Sequence, residues 1–451
     1  MKKLQGLIAG VLIGIMLTCV ALAANWNVEL ANFPILLNGI EWKTDKPIVT
    51  IDGSTYLPLR ALGDALGVKV EWNNEMQRVE IGDTPTTATS TTIEKKISKF
   101  INVVTDDRTY MIADDNSLWI CGYNYPGQTY EEREIKKPIK IMENVSMASL
   151  GEGAFNMIVK TDNTLWGFGN NFYGTMGINN TETEYALPIK IMDDVKFVSA
   201  GDAHVLAIKT DNTLWGWGMN TRRQLGVATY AQNEPNPTKV MDNVVFVSAG
   251  GETSFAIKED GTLWAWGNND CGQIGNDTIG DKDAGDFQKL PIKIMDNIIS
   301  VSTNGANTMA IDKYGVLWGW GLTNHSQVID EREVTRLNKR GLEVCPKPTK
   351  IMDNITSVYA GHLHTMGIKK DNSLWAWGLN AHGQFLNSEI DKYYHPTEIM
   401  QGVKSVSSES ATTVIKLDST LWVWGSNQNG RLGTGVSVGS FVPTQIIVEN
   451  D

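Results

Sequence analysis

The chain has 451 residues, 42% of them hydrophobic, with a formal net charge of −12 and four cysteines. The acidic balance argues against a nucleic-acid binder, which needs a basic face to displace counterions, and against docking on anionic lipid. The cysteines are too few for a disulfide framework, so stability must come from packing.

Lys2 and Lys3 precede an apolar run from Leu7 to Ala21, and Ala21-Leu22-Ala23 is a small-residue cleavage pattern. Residues 1–24 therefore read as a secretory signal peptide, with a retained membrane anchor as the alternative. The expected location is secreted or cell-wall associated, with no membrane contact beyond that segment. Residues 30–82 are built from turn signals. Asn38-Gly39 and Asp52-Gly53 each separate short apolar runs, and both dipeptides suit the positive φ of two-residue hairpin turns. Leu57 to Leu66 reads as a short helix capped by Gly67, and VKVEW and RVEIG flank Asn73-Asn74 as a further hairpin. This order resembles the copper amine oxidase N-terminal-like domain, an accessory module whose presence implies no oxidase activity here. Residues 83–96 open with DTPTTATSTT, a Thr-rich linker with nothing apolar to pack.

From residue 97 to 451 one phrase returns seven times, at Leu118, Leu165, Leu214, Leu263, Leu317, Leu374 and Leu421, each followed by Trp. The spacings are 47, 49, 49, 54, 57 and 47 residues. Between copies the sequence reads as short strands. In one period these are Pro188-Ile189-Lys190-Ile191, Val195 to Ala200, His204 to Lys209 and Thr213 to Gly218. Four short strands per period predict a mostly β fold, a seven-bladed propeller of four-stranded blades. Trp215 and Trp217, two apart, share a sheet face, while Gly216 and Gly218 leave room for the next blade. Proline opens a strand at Pro138, Pro188, Pro237, Pro291, Pro348, Pro396 and Pro443. The first Leu-Trp hairpin has no such strand before it and the last such strand has no hairpin after it. The expectation is that the C-terminal strand joins the first blade beside Phe100 to Val104 and closes the ring.

The runs VSAGDAHVLAIKTDNTLWGWGMN (from Val198) and VYAGHLHTMGIKKDNSLWAWGLN (from Val358), with CGQIG at Cys271 and GRLG at Gly430, resemble the regulator-of-chromosome-condensation type repeat. The family's His is present at His204 and His364, while Ala154, Thr253, Asn307 and Ala411 take its place elsewhere. That pattern reads as a replaceable packing position. Cys121 stands where other copies have the second Trp and reads as core. The resemblance implies the propeller fold. The family's nucleotide-exchange and nucleosome-binding activities conflict with a secretory signal and an acidic chain. Secreted bacterial members include an enzyme inhibitor that binds through loops on one face.

Catalytic motifs are missing: there is no nucleophile elbow and no phosphate-cradling Gly-rich loop. His362 and His364 have a metal-like spacing, but they read as a turn residue and the repeat position. Asp277, Asp281, Asp283 and Asp286 crowd the insertion 276–290 without a complete calcium loop, and read as a solvated acidic loop. No cofactor and no metal site is expected. A second insertion, 324–346, carries His325, Arg332, Arg336, Lys339 and Arg340. The two insertions follow consecutive blades at the same point of the repeat, so they should lie side by side on one face. Asp281, Asp283, Asp286, His325, Arg332, Arg336 and Arg340 are the candidate binding residues, with a pair of tolerated surface loops as the alternative. Cys271 and Cys345 are candidates for a disulfide. The expected function is a monomeric, non-catalytic scaffold that binds a protein or wall glycan. The alternatives are a secreted enzyme inhibitor and a polysaccharide-active enzyme.

Overall fold

Alternation of short apolar strands with Asx turns builds seven antiparallel sheets of four strands, the blades of a propeller. The computed structural model describes residues 99–448 apart from 125–132, 181, 230, 281–286, 329–335 and 388, together with the strand backbone between 28 and 82. The blades are 100–142, 145–192, 195–241, 244–295, 298–352, 355–400 and 403–446, numbered 1 to 7. Blade 3 is typical: inner strand Val195–Ala200, second strand His204–Lys209, third strand Leu214–Met219 and outer strand Asn233–Met241. The inner strands touch one another in a closed ring, that of blade 7 against that of blade 1.

Burial follows from position. Second strands such as VLAI of blade 3 lie between neighbouring blades and are buried throughout, so they read as continuous apolar runs. Trp217 is fully buried against Phe155, Met157 and Met176 of blade 2, and Trp215 lies half-buried on the same side. The Trp217 Nε1–H donates to the carbonyl of Thr175 in the preceding blade at 2.7 Å. Trp266, Trp320, Trp377 and Trp424 repeat this on Gln224, Gln273, Gln327 and Gln384, at 2.7–3.0 Å. Each such burial stabilises by about 2–3 kcal/mol. The first Trp of each phrase closes the hairpin instead. Trp215 Nε1–H donates to Thr213 Oγ1, which donates to Asp211. Gly218, at φ +97°, is required within its own blade and not by the next one: a Cβ there would lie 2.6 Å from the carbonyl oxygen of Ala203.

Two expectations about the frame of the repeat are corrected. The C-terminal strand Ser440–Ile446 pairs with Leu421–Gly425 and completes blade 7, not blade 1. The proline strand is the outer strand of the blade whose hairpin precedes it, as Leu214 pairs with Met241. The two-residue link Asp193-Asp194, with Asp194 at φ 62°, imitates a hairpin turn but joins two blades. Ring closure is a contact between blades 7 and 1: Thr109 Oγ1 donates to the Arg431 carbonyl at 2.8 Å, and Phe100 N–H to that of Ser419 at 3.0 Å. Secondly, Phe155 rather than Ala154 holds the His position of blade 2. Phe155 opposes Gly169 as His204 opposes Gly218, and Ala154 is an extra residue at φ 65°.

Contacts divide the chain into two units, 1–93 and 94–451. In the first, Ile35–Leu37 pairs with Ile40–Trp42 and Val49–Ile51 with Ser54–Tyr56, around the expected turns. Lys69–Asn73 pairs with Arg78–Gly82, Asn73 opposite Arg78, so that loop is longer than the Asn73-Asn74 turn expected. The expected signal peptide, the expected helix from Leu57 to Leu66 and the Thr-rich linker lie outside the described residues.

Candidate functional site

Neighbouring strands are antiparallel, so the turn after each inner strand and the loop after each third strand leave the same end of a blade. One face of the disc therefore carries both. Around the axis the inner turns contribute Asp106 and Asp107, Glu152, Asp202, Glu252, Asn304, His362 and Glu409, from blades 1 to 7 in order. Backbone contact holds these turns together. Gly153 N–H donates to the Asp202 carbonyl at 2.8 Å and Asp202 N–H to that of Gly251 at 3.0 Å. Gly251 and Gly305 approach so closely that a Cβ on Gly305 would lie 2.6 Å from the Gly251 Cα.

The carboxyls converge. Burial, then the charge of Asp106, pushes Glu409 up to about 8. Glu152 is raised by burial and then by Asp202, Glu409 and Asp106. Burial raises Asp202 as well, against the opposing influence of Glu152 and His362. Asp106 is raised by burial and by Asp107, and Glu252 by burial against the pull of Arg222, 3.5 Å away. Tyr359 donates its hydroxyl to Glu409 at 3.2 Å, and the Arg431 guanidinium donates to the Asp106 carbonyl at 3.1 Å. Carboxyls crowded into one partly dehydrated mouth, each raised by burial and several by one another, make this the candidate functional site. Glu152 and Glu409, both held at about 8, keep their protons near neutral pH.

The insertion loops rise from the same face. Arg336 of the second pairs with Asp277 of the first, and Arg340 lies 3.6 Å from Asp270. Asn338 Nδ2 donates to the Asp270 carbonyl at 3.3 Å, above a small core of Cys271, Leu322 and Val344. The described parts of the two loops thus lie side by side. Asp270 also bears on Glu252, linking the loops to the mouth. His325 belongs to the structural part of its loop: its N–H donates to Gln327, whose carbonyl holds Trp377. Asp281, Asp283, Asp286 and Arg332 lie outside the described residues.

Among the described residues no cluster of three or more His, Cys, Asp or Glu side chains is arranged to hold a metal ion. His364 is buried and bonds Ser408 of the next blade at 2.9 Å, as His204 bonds Ser254 at 2.9 Å. Burial drops both imidazoles to about 3, so they are neutral fasteners between blades. Cys121 is buried and its thiol donates to the Arg431 carbonyl at 3.3 Å, in the place where blades 3 to 7 carry an indole. Cys271 and Cys345 are free thiols. Cys271 packs with Val344, whereas Cys345, next along the strand, joins the core of Met309 and Trp377.

Residues 190–450, more than half of the chain, match the family model described as RCC1-like domain. The chain belongs to this RCC1-like family. Residues 162–208 also match the model of the Regulator of chromosome condensation (RCC1) repeat. Residues 36–118 match the Copper amine oxidase N-terminal domain, although the strands from 100 onward are built into blade 1. The RCC1 domain-containing protein RUG3, mitochondrial, of Arabidopsis thaliana is 32% identical over 102 residues, 23% of this chain and 22% of that protein. The matched stretch thus spans about a fifth of that relative. Human WBSCR16 superposes with a TM-score of 0.61 at 20% identity, covering 70% of this chain and 86% of that one. Prp20p from Saccharomyces cerevisiae gives 0.62 at 18%, covering 77% and 87%. At these identities the likeness is one of fold.

The carboxylate mouth escaped sequence reading because its successive members lie 46 to 157 residues apart, from Asp106 to Glu152 and from Glu252 to Glu409. Aligning the seven copies on the second strand would have exposed it: an acid stands one to three residues before Arg108, Phe155, His204, Thr253 and Ala411.

Proposed function

We propose that this RCC1-like chain is a non-catalytic binding scaffold that recognises a basic segment of a protein partner through the face holding the carboxylate mouth. The observation that carries this reading is the convergence of Asp106, Glu152, Asp202, Glu252 and Glu409, with the paired insertions of blades 4 and 5 beside them. Carboxyls held protonated by burial and by one another ionise as a cationic group enters, so the mouth selects a positively charged partner and gives up protons to it. Prp20p, a relative in fold, has binding properties to Gsp1p and histones. Secretion or wall association rests on residues 1–24 and belongs to the same proposal, as does a monomeric state. An inhibitor of a secreted enzyme would use the same face and differ only in its partner. A polysaccharide-active enzyme is favoured by one observation, the neighbouring Glu152 and Asp202, since paired carboxyls of unlike environment can serve as acid and base.

The test is capture from the envelope and medium of the producing cell at physiological salt, with the full chain and with Glu152→Gln/Asp202→Asn/Glu409→Gln as baits. A protein held by the native chain and released by the triple variant is the expected result. Retention of a wall polymer instead would move the reading to glycan recognition. Equal retention by both baits would remove the mouth from the binding surface.

A further inference from the structure

The seven seams between blades are not equally fastened. At five of them, 2/3 through 6/7, a buried indole donates across the seam to a backbone carbonyl. A second bolt joins the inner strands, where a serine hydroxyl accepts the N–H of a residue in the following blade. It runs from Ala200 to Ser149, Ala249 to Ser199, Thr303 to Ser248, Ala360 to Ser302 and Thr105 to Ser407, at 2.9–3.3 Å. Those are seams 2/3, 3/4, 4/5, 5/6 and 7/1.

Seam 1/2 has neither bolt. The indole position is Phe168, which has no N–H, and the serine position is Val104, which has no hydroxyl. A third departure falls at the same place. The buried inner-strand residue that faces the preceding blade is Val198, Val247, Val301 or Val358 elsewhere, but Ala148 in blade 2. Among the described residues the seam therefore lacks both repeated bonds and is two methyl groups short. In their place the fully buried Arg108 guanidinium donates across the seam to the Phe155 carbonyl at 3.4 Å, with Asp107 3.7 Å away.

We infer that the propeller opens at the seam between blades 1 and 2, the place where bolts present at its other junctions are missing. Asp106 and Asp107 stand on one side of that seam and Glu152 on the other, so opening there widens the mouth. Interfaces in a packed ring separate where stabilisation is least, and local opening reaches only the groups at that interface.

Thiol labelling of the folded full-length chain tests this. Ala148→Cys places a thiol in seam 1/2, and Val247→Cys places one at the equivalent point of seam 3/4. The native Cys121, buried at seam 7/1, is the internal reference. With two bonds of ordinary strength missing, Ala148→Cys should label at least about tenfold faster than Val247→Cys. Adding Val104→Ser, which restores the inner-strand acceptor, should slow Ala148→Cys toward the Val247→Cys rate. Equal rates at the two seams, or no response to the added serine, would overturn the inference. Ala→Cys adds a single atom, and unchanged circular dichroism of each variant shows that labelling reads the native ring.

Discussion

His204 and Glu409 pull the stability of this protein in opposite directions with pH. The folded state holds Glu409 at about 8 against an ordinary 4.5, so its stabilising contribution is complete below about 4.5 and is lost as pH rises through about 8. Glu152 is displaced the same way. His204 and His364 are held at about 3 against an ordinary 6.5, so theirs is complete above 6.5 and is lost as pH falls through about 3. Between pH 6.5 and 8 only the carboxyl effect operates, and urea unfolding should show stability declining across that interval. Glu409→Gln keeps an acceptor for Tyr359 and should flatten the decline. Trp217→Phe keeps most of the buried surface but strands the Thr175 carbonyl, and should cost about 1–3 kcal/mol in the same assay.

At the scale of elements, the repeat unit explains why the insertions sit where they do. In blades 2 to 6 the loop after the third strand already holds the next blade's Trp through a backbone carbonyl, that of Thr175 or of a Gln, so in blades 4 and 5 length is added only beyond that contact. Removing 324–344 outright would take away Gln327, which holds Trp377, and the buried Val328. Arg336→Ala/Arg340→Ala is the cleaner probe. Exposed ion pairs are worth at most about 1 kcal/mol, so unfolding should hardly change while retention of the partner falls. Unaltered retention in the capture experiment would restrict recognition to the mouth.

For the whole molecule, blade 7 is closed by its own outer strand, and blades 7 and 1 then meet face to face. Truncation after Gly439 should leave the other six sheets with all four strands. It should expose the edge of Leu421–Gly425 and uncover the partners of Ile446 and Val448. The expected outcome in size-exclusion chromatography is self-association. A monodisperse, fully stable truncation would contradict this account of closure.

The amino-acid sequence by itself determined the number of blades, their four short strands and the Trp that fastens them. Those signals are local: a period-two strand, an Asp-x-Thr turn and a Leu-Trp phrase each fit within about ten residues. The paired insertions were legible for the same reason, since equal position in a repeat means adjacency in the ring. Tertiary structure alone decided the frame of the repeat, because Asp193-Asp194 has the chemistry of a hairpin turn whether it joins strands of one sheet or of two. It alone assembled the mouth as well. Asp106, Glu152, Asp202, Glu252 and Glu409 come from five separate turns, and only closure of the ring brings their charges within reach of one another.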